Sequence, residues 1–133
     1  MSRITGKTVE LDVNKNVVFD FFSSLKNLER LLPKDKIENG VFGDTEASFR
    51  IKNLADIALK LENPAQEDRV VLTSTSNKPF PFSLSIVINE TSESTSSAYA
   101  ELNGEINTFM AMMVQKPLKN FLDLLADELK SAV

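Results

Sequence analysis

The fold of this chain follows from a segment near its C-terminus, NTFMAMMVQKPLKNFLDLLADELK (residues 107–130). Placed at 100° intervals, its apolar side chains form one stripe opposite its charged side chains, which predicts a helix about 36 Å long with one buried face. The stripe holds Met110, Val114, Pro117, Leu118, Phe121, Leu124 and Leu125. Pro117 removes a hydrogen-bond donor and is expected to bend the helix. Such a helix needs a broad apolar surface to pack against.

The residues before this helix supply that surface. From residue 37 the apolar period changes to two, and turn residues such as Gly43-Asp44 and Asn63-Pro64 separate short runs, which predicts antiparallel hairpins. The predicted strands are residues 37–42, 47–52, 57–62, 69–76, 82–90 and 97–105. Alternation puts the apolar side chains on one side of the sheet, and the C-terminal helix is the cover that this side requires.

The first part of the chain predicts one strand and two short helices. Residues 3–13 carry β-branched side chains, and Asn14 offers a side-chain oxygen to cap a following helix. Apolar spacings of three and four predict helix over residues 15–32, with a break at Ser23-Ser24 and an end at Pro33. At 133 residues the chain has the size of one domain. We therefore expect a single α+β domain over residues 1–133, with about seven antiparallel strands in the order β-α-α-β6-α curved around a long C-terminal helix.

Charge and composition restrict the partners. The net charge is −4 and no Lys/Arg run exceeds two residues, which argues against nucleic acid. The apolar runs are far shorter than the roughly 20 residues that span a bilayer, so no transmembrane segment is predicted. The N-terminus, MSRIT, lacks the apolar core of a secretory signal, which favours a cytoplasmic location.

The residue types argue against catalysis and metal binding. The chain has no His and no Cys, so the commonest near-neutral acid/base group and the commonest thiolate nucleophile are missing. Metal sites built on these residues are excluded, and neither a calcium loop nor a glycine-rich phosphate loop occurs. We therefore predict no catalytic residue, no metal and no cofactor. Weaker polar candidates are Glu128 on the apolar stripe, Tyr99, and Ser74 with Thr75, which could orient the polar head of a ligand.

Two segments carry a resemblance to a known family. They are LERLLP (residues 28–33) and MMVQKPLKNFL (residues 112–122), which look like segments of small polyketide-cyclase/dehydrase-like and CoxG-like proteins. With the order of elements along essentially the whole chain, they resemble the helix-grip fold of the START/Bet v 1-like (SRPBCC) superfamily. The resemblance implies a cavity between the concave sheet and the long helix, used across the superfamily for lipids, sterols, polyketides or other apolar ligands.

The apolar faces predict which residues line that cavity. Small residues on the inward face of the last predicted strand, Ala98, Ala100 and Gly104, together with flexible methionines, favour a void. Regular apolar spacing is equally typical of a filled core, and this alternative stays open. The predicted ligand-binding residues are Phe49, Ile51, Leu59, Leu61, Leu72, Phe82, Leu84, Ile86, Ala98, Ala100, Met110, Met113, Leu118 and Phe121.

A second apolar cluster is predicted where the C-terminal helix begins. Leu54 and Phe80 lie in loops expected at the same end of the sheet as Phe109 and Met112. Phe109 and Met112 point away from the main stripe of the helix. The cluster is therefore a cavity entrance, a contact in a homodimer, or loop packing.

Three functions remain open from the sequence. The first is a non-catalytic binding or carrier protein for a small hydrophobic or amphipathic ligand, such as a lipid, quinone or polyketide-like molecule. The second is a polyketide cyclase/dehydratase-like enzyme, which needs an inward polar group. The third is a protein-interaction module that uses the apolar patch at the start of the C-terminal helix. The first is favoured.

Overall fold

The computed structural model describes residues 2–52, 54–62, 68–75 and 80–133. Its strands form one antiparallel sheet in the order β1-β8-β7-β6-β5-β4-β3, with β2 also paired to β8. The strands are β1 (Ser2–Thr5), β2 (Val9–Leu11), β3 (Ile37–Phe42), β4 (Glu46–Ile51), β5 (Ala55–Leu61), β6 (Arg69–Ser74), β7 (Phe82–Glu90) and β8 (Ser96–Gly104). Alternating apolar side chains give the sheet one buried face.

Three helical segments accompany the sheet: α1 (Lys15–Phe21), a 3₁₀ helix (Leu25–Leu31) and α2 (Thr108–Ala132). Asparagine side chains cap both α-helices, as expected from their acceptor oxygens. Asn14 Oδ1 accepts from the N–H of Val17 at 3.2 Å, and Asn107 Oδ1 accepts from the N–H of Met110 at 2.7 Å. Pro117 lies inside α2, which continues across it.

The predicted fold class is confirmed, with one correction at the N-terminus. The single strand expected over residues 3–13 is two short strands, so the sheet has eight strands rather than about seven. The division falls at Gly6, where the chain passes close under α2: a Cβ on Gly6 would lie 2.8 Å from Cβ of Leu122. The second predicted helix is a 3₁₀ helix. The predicted turn at Asn63-Pro64 and the end of the predicted strand at Ser76 lie outside the described residues.

The core lies between the concave face of the sheet and the second half of α2. The buried residues of α2 all follow Pro117, and they are Leu118, Leu122, Leu125, Ala126 and Leu129. This half packs on β8, β1, β2 and the 3₁₀ helix. No residue from Thr108 to Pro117 is buried, so the first half of the helix lies over the sheet without being embedded in the core. Among the described residues, no helix combines the length and apolar character needed to cross a bilayer.

Candidate ligand site: an inner pocket and an outer groove

A small pocket, here called the inner pocket, lies between α2 and one end of the sheet. Its volume is about 60 Å³. The described residues that line it are all apolar: Phe49, Ile51, Leu54, Ile57, Leu59, Phe80, Phe82, Leu84, Leu102, Val114, Leu118, Phe121 and Leu122. These residues offer a guest apolar contact and no hydrogen-bonding side chain.

Aromatic rings form much of its wall. Phe49 on β4 stacks on Phe121 of α2, with ring centroids 6.4 Å apart and planes at 26°. Phe80 meets Phe82 edge to face at 5.8 Å. Gly104 at the end of β8 makes room for this pair, since a Cβ there would come within 3.0 Å of the Phe80 ring. Ring pairs of this kind add stability beyond their buried area, so the wall is stiff except where a ring can rotate away.

The volume of the inner pocket limits what it can hold. Because one water-sized sphere needs roughly 10–15 Å³, about four or five such spheres fit. Ligand sites usually measure about 300–1,000 Å³. The inner pocket alone therefore accommodates a short apolar group and not a whole lipid or polyketide.

A larger depression, here called the outer groove, lies on the other side of Phe121. Its volume is about 530 Å³. It is lined by Asp35, Lys36, Ile51, Lys52, Leu54, Lys116, Pro117, Asn120, Phe121 and Leu124. Ile51, Leu54 and Phe121 line both spaces. These three side chains form a partition between the inner pocket and the outer groove.

The described residues that line the inner pocket include no titratable group. Among the described residues, a shifted pKa occurs at the start of β6, where the hydrogen bond from Arg69 lowers the pKa of the Asp68 carboxyl and raises the pKa of Arg69 itself. Neither residue lines the inner pocket or the outer groove. In the part of the chain that the structure describes, no three His, Cys, Asp or Glu residues group as metal ligands would.

The structure brings half of the predicted liners to the inner pocket. Those on its wall are Phe49, Ile51, Leu59, Phe82, Leu84, Leu118 and Phe121. Leu72 is fully buried elsewhere in the core, and Leu61 and Met110 are half-buried away from the wall. Met113 was expected at the cavity and instead lies on the outer side of α2, 64% exposed, because its helical phase is opposite to that of Leu118.

The void predicted from Ala98 and Ala100 is wrong in position. These residues and Ile86 face the second half of α2, where only about 10 Å³ remains open beside Leu125 and Leu129. Short side chains on β8 let the helix approach the sheet closely, so they close the gap instead of creating one. The inner pocket lies further along, beside Val114, Leu118, Phe121 and Leu122 in the middle of α2.

The predicted entrance cluster separates into two places. Leu54 and Phe80 lie in the inner-pocket wall. Phe109 and Met112 lie on the outer side of α2, 75% and 79% exposed, and line neither space. They do not form one cluster with Leu54 and Phe80, because the side of α2 that carries them faces solvent.

The weaker polar candidates do not reach the inner pocket. Ser74 Oγ accepts a hydrogen bond from the N–H of Phe82 at 3.0 Å, so it ties β6 to β7. Thr75 is exposed, and Glu128 is half-buried near the end of α2. Tyr99 borders the 10 Å³ void.

Some wall and groove residues were missed as site residues. The strand alternation of Ile57 and Leu102 and the helical phase of Val114 already predicted that these side chains face inward. The polar rim of the outer groove carries no local signal, since Lys36, Lys52 and Lys116 come from three separate segments. What could have indicated it is that Lys36 and Lys52 flank two strands predicted to be neighbours.

Comparison with known proteins supports the fold. No protein-family model and no curated protein matches the sequence. Among solved structures, the chain is similar to a START superfamily protein from Mycobacterium smegmatis, with a TM-score of 0.73 and 13% identity over 98% of this chain and 96% of that chain. It is also similar to norcoclaurine synthase from Thalictrum flavum, solved with dopamine and hydroxybenzaldehyde, with a TM-score of 0.73 and 15% identity over 98% and 85%. A third similar structure is that of an uncharacterized protein from Bacillus thuringiensis, with a TM-score of 0.72 and 15% identity over 98% of both chains.

The chain thus has the helix-grip fold of START and Bet v 1-like proteins, as the resemblance in its sequence implied. These similarities concern the fold alone, and one of the similar structures is a synthase.

Proposed function

We propose that this protein is a non-catalytic binding or carrier protein for a small hydrophobic or amphipathic ligand held between the sheet and α2. The observation that carries the proposal is that the inner-pocket wall is apolar at every described residue that forms it. Burial of apolar ligand surface there is favourable by roughly 25 cal/mol per Å². Lipids, quinones and polyketide-like molecules all fit this chemistry.

The ligand occupies both spaces in this proposal. The inner pocket is too small for a drug-sized molecule, whereas the outer groove, at about 530 Å³, has the usual size of a binding site. Phe121 and Leu54 are both only half-buried, so the partition between the spaces can open by side-chain rotation. The first half of α2 has no buried residue and can shift outward at a small energetic cost.

The walls favour a carrier over a cyclase or dehydratase. An enzyme of that kind needs an acid or base directed at the substrate, and such groups are usually recognised by a perturbed pKa inside a cleft. The inner-pocket wall, as far as the described residues form it, holds hydrocarbon side chains. The pair with a resolved pKa disturbance, Asp68 and Arg69, lies outside it.

A specific observation also supports an interaction module as the second candidate. Phe109, Met112 and Met113 form an exposed apolar patch on the outer side of α2. Such patches often mark contacts with other proteins. The patch lies on the opposite side of the helix from the inner pocket, so both functions can coexist.

Native mass spectrometry of freshly purified protein tests the carrier directly, through a copurified apolar molecule. A second measurement titrates an uncharged naphthylamine dye, whose fluorescence rises in apolar surroundings. Val114→Phe fills the inner pocket and should weaken dye binding several-fold. Val41→Phe is the matched control, because Val41 is 69% exposed on β3 and lines neither space. No bound dye in the wild-type protein, or equal weakening by both variants, would refute the proposal.

Two expectations from the sequence accompany this proposal. They are the organisation of residues 1–133 as a single domain and a cytoplasmic location. If the chain is a single domain, limited proteolysis should leave one resistant core and no separate smaller fragments. Fluorescence microscopy of a tagged chain tests the cytoplasmic location.

A further inference from the structure

The outer groove has an apolar floor and a basic rim. The floor is made by Ile51, Leu54, Pro117, Phe121 and Leu124, and the rim carries Lys36, Lys52 and Lys116. Asp35 is the carboxylate among the described lining residues, so these residues carry a formal excess of two positive charges in a chain whose net charge is −4. The sign of the groove is opposite to that of the protein as a whole.

Two of these lysines are held side by side by the backbone. The N–H of Lys52 donates to the carbonyl of Lys36 at 2.9 Å, which continues the β3–β4 pairing one residue beyond Ile37 and Ile51. Like charges opposite each other on neighbouring strands are destabilising. Within the described ranges, neither lysine forms an ion pair, and neither does Lys116 across the groove. The arrangement brings three lysine side chains to one groove.

From this arrangement we infer that the ligand is a single-chain anionic amphiphile, whose carboxylate or phosphate head lies among Lys36, Lys52 and Lys116 and whose hydrocarbon chain enters the inner pocket past Leu54 and Phe121. The inference rests on the proposed function and narrows its ligand. Lysine ammonium groups serve as point charges for either head group. The amide of Asn120 on the same rim adds a hydrogen-bond donor.

The volume of the inner pocket also limits how many hydrocarbon chains the ligand can have. The outer groove meets the inner pocket at the shared residues Ile51, Leu54 and Phe121, and the inner pocket measures only about 60 Å³. One chain end fits that space, and two do not. The head remains in the outer groove, where water and the lysines stabilise its charge.

Displacement of the uncharged naphthylamine dye tests the inference. The competitors share one chain length and are used below their micelle concentrations: decanoate, decyl phosphate, decanol and decyltrimethylammonium. We expect both anions to bind about tenfold more tightly than decanol, since three exposed charge contacts each contribute a factor of a few. The cationic amphiphile should bind more weakly than decanol. The preference for anions should shrink as salt is raised, because the lysines are exposed.

Two triple variants separate the groove from overall charge. Lys36→Gln, Lys52→Gln, Lys116→Gln should remove the preference for anions and leave decanol binding unchanged. Lys15→Gln, Lys60→Gln, Lys130→Gln changes the net charge equally at positions outside both spaces and should keep the preference. Equal loss in both variants would overturn the inference, since the preference would then come from the charge of the whole molecule.

The remaining outcomes separate a failure of this inference from a failure of the proposed function. Equal binding of decanol and decanoate by the wild-type protein overturns the anionic head and leaves the carrier function standing. Displacement by inorganic phosphate or acetate at the concentrations effective for the amphiphiles overturns the requirement for a chain. A wild-type protein that binds neither the dye nor decanol refutes the proposed function itself.

Discussion

Phe121 of α2 stacks on Phe49 of β4 with ring centroids 6.4 Å apart, and this contact joins the middle of the helix to the sheet at the boundary between the two spaces. Phe121 lines both the inner pocket and the outer groove, whereas Phe49 lines only the inner pocket. The ring of Phe121 therefore separates the two spaces, and the ring of Phe49 packs against it from the inner-pocket side.

Phe121→Ala should open this partition. We expect the naphthylamine dye to associate several-fold faster in stopped-flow measurements, while the free energy of unfolding falls by about 2 kcal/mol, less than for a fully buried Phe because Phe121 is half-buried. Phe19→Ala is the control, since Phe19 is half-buried on α1 and lines neither space. An unchanged association rate in Phe121→Ala would show that Phe121 does not control entry.

Gly6→Ala should destabilise the fold. The new Cβ would lie 2.8 Å from Cβ of Leu122 and 3.1 Å from its backbone carbonyl carbon, so the helix itself would have to move. Overpacking of this kind costs about 1–3 kcal/mol, measurable by urea denaturation. Gly43→Ala should change stability by less than about 0.5 kcal/mol, because the nearest atom to its Cβ is 3.4 Å away. Similar costs for both variants would contradict the close approach at Gly6.

The buried carboxylate of Glu101 is stabilised by an ion pair with Arg3. Its side chain is only 8% exposed, lies 2.9 Å from Nε of Arg3, and accepts from the Asn103 amide at 3.1 Å. Arg3→Met should cost about 1–2 kcal/mol in urea denaturation, because a buried charge loses its counter-ion. Lys26→Met is the matched control: its ion pair with Asp44 is exposed on both sides, so less than about 0.5 kcal/mol should be lost.

The exposed patch on α2 should be dispensable for folding. Phe109→Gln with Met112→Gln is expected to leave the free energy of unfolding within about 0.5 kcal/mol of wild type, since both side chains are largely exposed and Gln retains helix propensity. Sedimentation of the same pair of proteins tests the homodimer predicted from the sequence. Self-association that persists in the variant would rule out this patch as the contact.

Acid titration should detect the interaction between Asp68 and Arg69 at the start of β6. The hydrogen bond from Arg69 lowers the pKa of Asp68 below its ordinary 3.8, so the stabilising contribution is complete above that pH and is lost as pH falls through the lowered pKa. Because Asp68 is exposed, the effect on stability is small, and the pKa itself is the better readout by NMR. Arg69→Gln should raise it toward the ordinary value, and Arg50→Gln should not. A rise in both variants would contradict the local cause.

Local patterns predicted most of the secondary structure. The bounds of β3 and β7 agree with the predicted residues 37–42 and 82–90. In β7 the cause is a period-two alternation of apolar residues, whereas β3 lies between the clear breaks at Pro33 and Gly43-Asp44. Asn107 was predicted to open the last helix and caps it. The division of the first strand was missed because its cause at Gly6 is a contact with Leu122, more than a hundred residues away in sequence.

The site was harder to predict than the fold. Parity and helical phase say which side of an element faces inward, and they selected Phe49, Phe82 and Phe121. They do not say how closely two layers approach, so Ala98 was interpreted as the floor of a void where the helix in fact packs closely. The convergence of Lys36 with Lys116 depends on where α2 crosses the sheet edge, which no local pattern contains.

Pro117 divides α2 into a part with residues that are at most half-buried and a part that holds every buried residue of the helix. Single substitutions over residues 108–116 are therefore expected to change stability less than substitutions of the buried residues after Pro117. Val114 and Lys116, which border the two spaces, belong to this permissive part. Substitutions at these two positions can therefore alter the walls of both spaces while the buried residues after Pro117 stay as they are.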